Sequence, residues 1–227
     1  MRTKINVVKY DPEWKTQFTM EGTQIRALLA ERCEMIYHIG STAVPGLMAE
    51  PTIDIMAVVK DIGKIDQLNA EFKKLGYECK GEYGIPGRRF YVKGDPIRTH
   101  QVSIYQKDNT KEIDRLLAVG EYLRSHPTAM NEYSEFKAKL AEEFTFNVKE
   151  YTEKKGAFLD KLEQEALKWK DRQERIGKYV RVGTTVCVIA GGIIGGVAFG
   201  SIATGSGVGL IVGLLGGAFI GTKRVKE

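Results

Sequence analysis

The sequence predicts an α+β domain followed by an apolar helical hairpin. Three observations carry this reading. Over residues 1–172, short runs rich in Val, Ile and Tyr alternate with longer segments whose apolar residues recur at helical spacing. A glycine–serine turn, Gly40-Ser41, follows one apolar run, and a lone acid, Asp54, sits inside the next. From Val182 to Thr222 no charged residue occurs, and thirteen glycines fall between Gly183 and Gly221.

Val7-Val8 is a short extended lead-in. Pro12 opens a helix to about Ala30, with Trp14, Phe18, Ile25, Leu28 and Leu29 on one face. Cys33 to Ile39 reads as the first strand. Thr52 to Val59 reads as the second, and its lack of alternation predicts burial on both faces. Asp61 is placed to cap a helix carrying Ile62, Ile65, Leu68, Phe72 and Leu75, which Gly76 ends. Tyr77 to Lys80, Arg89 to Lys93 and Thr99 to Tyr105 read as three more strands. Turn-rich links join them, so an antiparallel meander is the simplest arrangement. Three helices follow, Asn109 to Ser125, Thr128 to Glu143 and Lys149 to about Arg175, with Pro127 separating the first two.

The last quarter changes character. Gly192, Gly196 and Gly200 are spaced by four, and so are Gly205, Gly209, Gly213, Gly217 and Gly221. Each glycine costs a water-exposed helix about 1 kcal/mol relative to alanine. In lipid the same spacing lets helices approach closely. The run from Val182 to Ala203 has the length of a bilayer span. Lys178 and Arg181 precede the run and Lys223, Arg224 and Lys226 follow it, which places both ends on the cytoplasmic side. The chain therefore reads as a domain over 1–172, a basic linker over 173–181, a glycine-zipper transmembrane hairpin over 182–222 and a basic tail over 223–227. A zipper of this kind favours a membrane-associated homo-oligomer.

Composition sets outer bounds. The chain has 227 residues, 43% of them hydrophobic, enough for one sizeable core and an appendage. The net charge of +5 suits anionic ligands without calling for a specific nucleic acid. Cys33, Cys79 and Cys187 lie far apart without metal-ligand spacing, which argues against a zinc site or disulfide framework and fits reduced thiols in a cytoplasmic domain. Met1-Arg2-Thr3-Lys4 runs straight into an amphipathic segment, with no apolar signal core.

The densest stretch is His38 to Ile55, HIGSTAVPGLMAEPTIDI. Other landmarks are Val8-Lys9-Tyr10-Asp11-Pro12-Glu13-Trp14, Gly84-Ile85-Pro86-Gly87-Arg88-Arg89-Phe90, Arg98-Thr99-His100, Tyr122-Leu123-Arg124-Ser125-His126-Pro127 and Tyr151-Thr152-Glu153-Lys154-Lys155. Together, over roughly residues 5 to 170, they resemble the GrpB family. Gly-Ser followed thirteen residues later by a strand Asp is similar to the nucleotidyltransferase superfamily. That resemblance implies a nucleotidyltransferase-like mixed or antiparallel sheet flanked by helices. A related domain fused to dephospho-coenzyme A kinase adds an analogy to nucleotide or coenzyme A metabolism.

The chemistry follows from the residue types. Gly40 permits a sharp turn and close approach of a ligand, and Ser41 adds a hydroxyl and a backbone N–H there. Asp54, a mid-strand carboxylate, is the expected catalytic residue and Mg²⁺ ligand, since a buried unpaired acid is costly. A working nucleotidyltransferase usually carries a second acid two residues on, sharing the strand face. Here Met56 stands in that place, a poor ligand for a hard cation. Arg88, Arg89 and Arg98 are candidate phosphate forks, and His100, the one histidine of its strand, joins them as a candidate ligand-binding residue. The run from Lys137 to Glu143 reads as a solvated helix face.

These residues lead to a nucleotidyltransferase-fold protein that binds, and in the active form transfers, a nucleotide or phosphorylated small molecule. The alternative is a non-catalytic ligand sensor or adaptor tethered to a membrane. The two diverge on whether Glu78, Glu82 or Asp95 joins Asp54 as a second metal ligand.

Overall fold

A computed structural model describes residues 4–199, 210–211 and 214–215. The chain divides into two compact units, Met1–Leu167 and Lys168–Glu227.

The first unit is a mixed α+β domain. Helix α1 (Glu13–Leu29) precedes strands β1 (Cys33–Ile39) and β2 (Ile53–Val59), and a single 3₁₀ turn, Ser41–Ala43, lies between the strands. Helix α2 (Asn69–Lys74) leads into β3 (Tyr77–Cys79), β4 (Arg88–Lys93) and β5 (His100–Gln106). Helices α3 (Thr110–Ser125), α4 (Pro127–Glu143) and α5 (Val148–Phe199) follow. The five strands form one sheet in the order β1-β2-β5-β4-β3. β3, β4 and β5 are the expected antiparallel meander, β1 is antiparallel to β2, and β2 runs parallel to β5.

Alternation along the strands divides the sheet into two faces. Ile53, Ile55, Ala57 and Val59 of β2 join Val102 and Ile104 of β5 under α1 and α2, with Trp14, Ile25, Leu29 and Phe72 completing that core. Met56 and Tyr105 lie on the other face with Ile39, packed by Ile113, Leu116 and Leu117 of α3. Beside them, Val44 and Leu47 from the β1–β2 connection meet Leu123, Tyr133 and Leu162 from the three later helices. The β1–β2 connection is thus clamped beneath α3, α4 and the start of α5. Being buried on both faces, β2 shows the unbroken apolar run that its sequence predicts.

Two expectations change. The single helix expected from Ile62 to Leu75 is two 3₁₀ turns, Ile62–Lys64 and Asp66–Leu68, before the short α2. Asp61 accepts from the Gly63 N–H at 2.9 Å and closes the first turn tightly, and Arg89 holds the Asp66 carboxylate in the second. Residues 173–181, expected as a linker, are helical and lie within the uninterrupted α5. Arg, Gln, Glu and Lys dominate there and favour helix, and Arg175 pairs with Asp171 one turn back at 3.0 Å.

Among the described residues, no helix is long and apolar enough to cross a membrane. Residues 200–209, 212–213 and 216–222 of the expected glycine-zipper hairpin, and all of the basic tail, lie outside the described residues.

Candidate functional site

Gly40 ends β1 with φ +73°, a conformation that L side chains rarely adopt. A Cβ at this position would lie 2.5 Å from Oδ2 of Asp54 and 3.2 Å from its Cβ and Cγ. The register explains the contact, because Ile39 pairs with Asp54 and the chain turns back over that carboxyl. Gly40 itself is exposed, Ser41 and Asp54 are half-buried, and Thr42 is buried. Gly40, Ser41 and Asp54 therefore do form one constellation.

Its electrostatic setting comes from Arg98 and from residues the sequence did not single out. Burial pushes the Asp54 carboxyl up to about 7; the positive charges of Lys155 and Arg98 oppose this, and the negative charge of Glu50 adds to it. The Lys155 ammonium donates to both Glu50 oxygens, at 2.7 and 3.0 Å. Burial raises the Glu50 carboxyl, but Lys155 outweighs that and holds it below the usual range. Lys137 is wholly buried on α4, where a solvated face was expected. Its ammonium donates to Ser41 Oγ at 2.9 Å and to the Met48 carbonyl, and lies 4.3 Å from the Tyr133 ring centroid. Burial lowers Lys137 to about 7; nearby Lys155 contributes, and Glu50 opposes. Arg124, exposed at the end of α3, donates to the Ala43 carbonyl of the turn at 3.2 Å.

The remaining predicted residues separate. Arg98 is exposed, its charge reaches Asp54, and its carbonyl accepts from the Thr52 hydroxyl at 3.2 Å. Arg88 and Arg89 lie elsewhere, because β4 pairs them with Tyr105 and Ile104 while Asp54 sits opposite Gln101. Arg88 donates to the Glu82 and Tyr83 carbonyls and stacks on Phe90 at 4.4 Å. Arg89 grips Asp66 through two bonds of 2.6 and 2.8 Å. Both guanidinium groups are occupied in holding loops. His100 belongs to the α1 face with Val102 and Ile104, opposite Asp54, and its Nδ1 meets Thr99 Oγ1 at 3.0 Å. Burial lowers its basicity, Glu21 works against this and Lys93 adds to it. His38 also faces α1, stacked on Phe18 with ring centroids 4.7 Å apart. Burial and then Arg124 lower it to about 4, so it is a neutral ring bonded to Thr42 at 3.0 Å.

The site does not fit a magnesium ion held by protein carboxylates. Met56 shares the Asp54 face, but it is fully buried in the apolar cluster with Ile39 and Tyr105. Glu78 pairs with Lys80 at 2.5 Å, and Glu82 accepts from the Gly87 N–H at 2.7 Å. The acid that bears on Asp54 is Glu50, whose oxygens Lys155 already holds. Among the described residues, no group of three or more His, Cys, Asp or Glu could hold a metal. The sequence signals that could have found the lysines were present. Lys155 ends the Tyr151-Thr152-Glu153-Lys154-Lys155 landmark, and Lys137 lies four residues after Tyr133 on one helix face.

Comparison with known proteins places this architecture. A family profile described as GrpB protein matches residues 4–165. The UPF0157 protein YqkA of Bacillus subtilis is 34% identical over 169 residues, covering 74% of this chain. This chain spans 49% of that relative's length. The crystal structure of conserved protein GrpB from Enterococcus faecalis superposes with a TM-score of 0.71 at 44% identity, covering 73% of this chain and 99% of that one. A dephospho-CoA kinase of Mycolicibacterium paratuberculosis is 28% identical over 112 residues, covering 44% of this chain and 28% of its own.

Proposed function

The chain belongs to the GrpB family, and we propose that its first unit binds a nucleotide or another phosphorylated small molecule on the Gly40–Ser41 turn. The observation that carries this reading is the turn itself. An exposed glycine backbone sits against Asp54, with three cationic side chains, Lys155, Arg98 and Arg124, and the buried amine of Lys137 disposed about the same constellation. Backbone N–H groups, a hydroxyl and several ammonium or guanidinium donors are the chemistry that holds phosphate. The nucleotidyltransferase-like spacing of Gly40-Ser41 and Asp54, and the likeness to part of a dephospho-CoA kinase, support a nucleotide or coenzyme A-like ligand.

Asp54 has a role beyond charge. A carboxyl near pKa 7 exchanges protons readily at neutral pH, so it suits taking a proton from a hydroxyl of the bound molecule. The second acid of a two-metal transferase is replaced by buried Met56, so transfer is slow or absent. A divalent ion enters only as the companion of a phosphate, whose oxygens supply most of its ligands. That same replacement favours a second reading, in which the domain senses its ligand without turnover.

Thermal unfolding of the full chain against a panel of nucleotides, coenzyme A precursors and inorganic pyrophosphate, with and without Mg²⁺, tests the proposal. A ligand at a hundred times its Kd adds about 2.7 kcal/mol of stability, a rise in Tm of about 5–10 °C for a domain of this size. Arg98→Ala is expected to reduce the rise. A panel in which no phosphorylated compound shifts the midpoint contradicts the proposal.

A further inference from the structure

We infer that Lys137 is the specificity-determining residue of the site, a buried amine that takes up a proton when a terminal phosphate seats on the Gly40–Ser41 turn. This deepens the proposed function and rests on it.

The geometry supplies the argument. Lys137 has no exposed surface, yet its Nζ lies 2.9 Å from the half-buried Ser41 hydroxyl, next to the exposed backbone of Gly40. An ammonium has three donors and no acceptor. One donor goes to Ser41, one to the Met48 carbonyl, and the ring of Tyr133 lies beneath the group. Among the described residues Lys137 forms no ion pair, and Lys155 occupies both oxygens of Glu50, the acid whose charge acts on Lys137. A fully buried lysine without a carboxylate partner is expensive in the charged form. Burial and the charge of Lys155 accordingly favour the neutral amine over the cation.

An arriving dianion changes that balance. It brings the missing counter-charge to the neighbourhood of Ser41, so the protonated form becomes the favoured one. A terminal phosphomonoester carries close to two negative charges at neutral pH, whereas a phosphodiester carries one. The gain therefore discriminates between them. Among the described residues, the charged and titratable groups about the cluster are Glu50 before β2, Asp54 on β2, Arg98 before β5, Arg124 at the end of α3, Tyr133 on the same helix, and Tyr151 and Lys155 on α5. Burial pushes Tyr133 and Tyr151 above their ordinary values, so neither releases a proton near neutrality. Asp54 is the other group that titrates near 7, so the test must separate it from Lys137.

The experiment is calorimetric titration of the full chain at pH 8 with ATP and with 3′,5′-cyclic AMP, each in two buffers of different ionisation enthalpy. Wild type is expected to take up close to one proton with ATP and to bind cyclic AMP at least tenfold more weakly. Asp54→Asn is expected to retain the uptake. Lys137→Met is expected to lose it, together with at least tenfold of ATP affinity and the preference over cyclic AMP. Ser41→Ala, which leaves the lysine in place, is expected to keep the uptake with a smaller loss of affinity, and it serves if Lys137→Met does not fold. ATP binding without proton uptake in wild type, or uptake that disappears in Asp54→Asn, overturns the inference and leaves the phosphate site standing. Absence of binding by ATP and by every compound of the panel removes both.

Discussion

The backbone of Gly40 lies so close to Asp54 that a single added methyl group would fall 2.5 Å from the carboxylate oxygen. The turn and the acid therefore form one unit, and a change to either is felt by the other. Gly40→Ala combines this clash with a positive φ that alanine tolerates poorly, and it is expected to cost about 1–3 kcal/mol in urea unfolding. Adding Asp54→Ala should recover part of the loss, with a coupling of about 0.5–3 kcal/mol in a double-mutant cycle. Strict additivity would show that the contact carries no strain.

Asp54 also sets a pH dependence. Its folded pKa of about 7 lies above the unfolded value near 3.9, so the folded state binds more protons between those limits. Its contribution to stability is fully present below about pH 4 and is lost as pH rises through about 7. Asp54→Asn is expected to remove that decline and to raise stability at pH 7.5, each pKa unit being worth about 1.4 kcal/mol before discounting for partial solvation. Chemical denaturation of both proteins at pH 5 and pH 7.5 measures the difference. Equal slopes would mean that the acid is not perturbed.

Met56→Asp restores the spacing of a two-carboxylate strand, but it places a charge among Ile39, Tyr105 and α3. Loss of several kcal/mol of stability is expected, since an unpaired buried carboxylate is costly. Unfolding with and without Mg²⁺ checks this. Metal-dependent recovery of full stability would contradict the account of that face as closed and apolar.

The arginines divide cleanly. Arg89→Ala removes a loop anchor, so it is expected to lower stability by up to about 1 kcal/mol and to leave ligand affinity unchanged. Arg98→Ala is expected to do the reverse, with affinity for phosphorylated ligands falling severalfold at constant stability. Parallel melts and titrations of the two variants decide the matter, and the opposite pattern would return Arg89 to the site.

The sequence made the fold legible where a local rule governs. The unbroken apolar run of β2, the turn residues around β4 and the Pro127 break between α3 and α4 each act over a few residues, and each matches the structure. The proximity of Gly40 and Ser41 to Asp54 was legible because motif spacing is also local. The placement of Lys137 and Lys155 was not, because their partners, Ser41 and Glu50, lie 96 and 105 positions away in the chain. Charge alone suggested solvent for Lys137, whereas the docking of α4 over the β1–β2 connection buries it. Arg88 and Arg89 misled for the converse reason. A guanidinium fork serves carbonyls and carboxylates as well as phosphate, and only the β4–β5 register shows which partners are in reach.

Whether the Gly40–Ser41 turn is a ligand site at all is read most directly by amide chemical-shift mapping of the isotopically labelled chain during titration with ATP and Mg²⁺. The account predicts saturable shifts concentrated at Gly40, Ser41, Asp54 and Arg98, extending to Lys137 and Lys155, with Arg88, Arg89 and His100 unmoved. Shifts centred on Arg88 and Arg89, or a spectrum unchanged at saturating nucleotide, would contradict it.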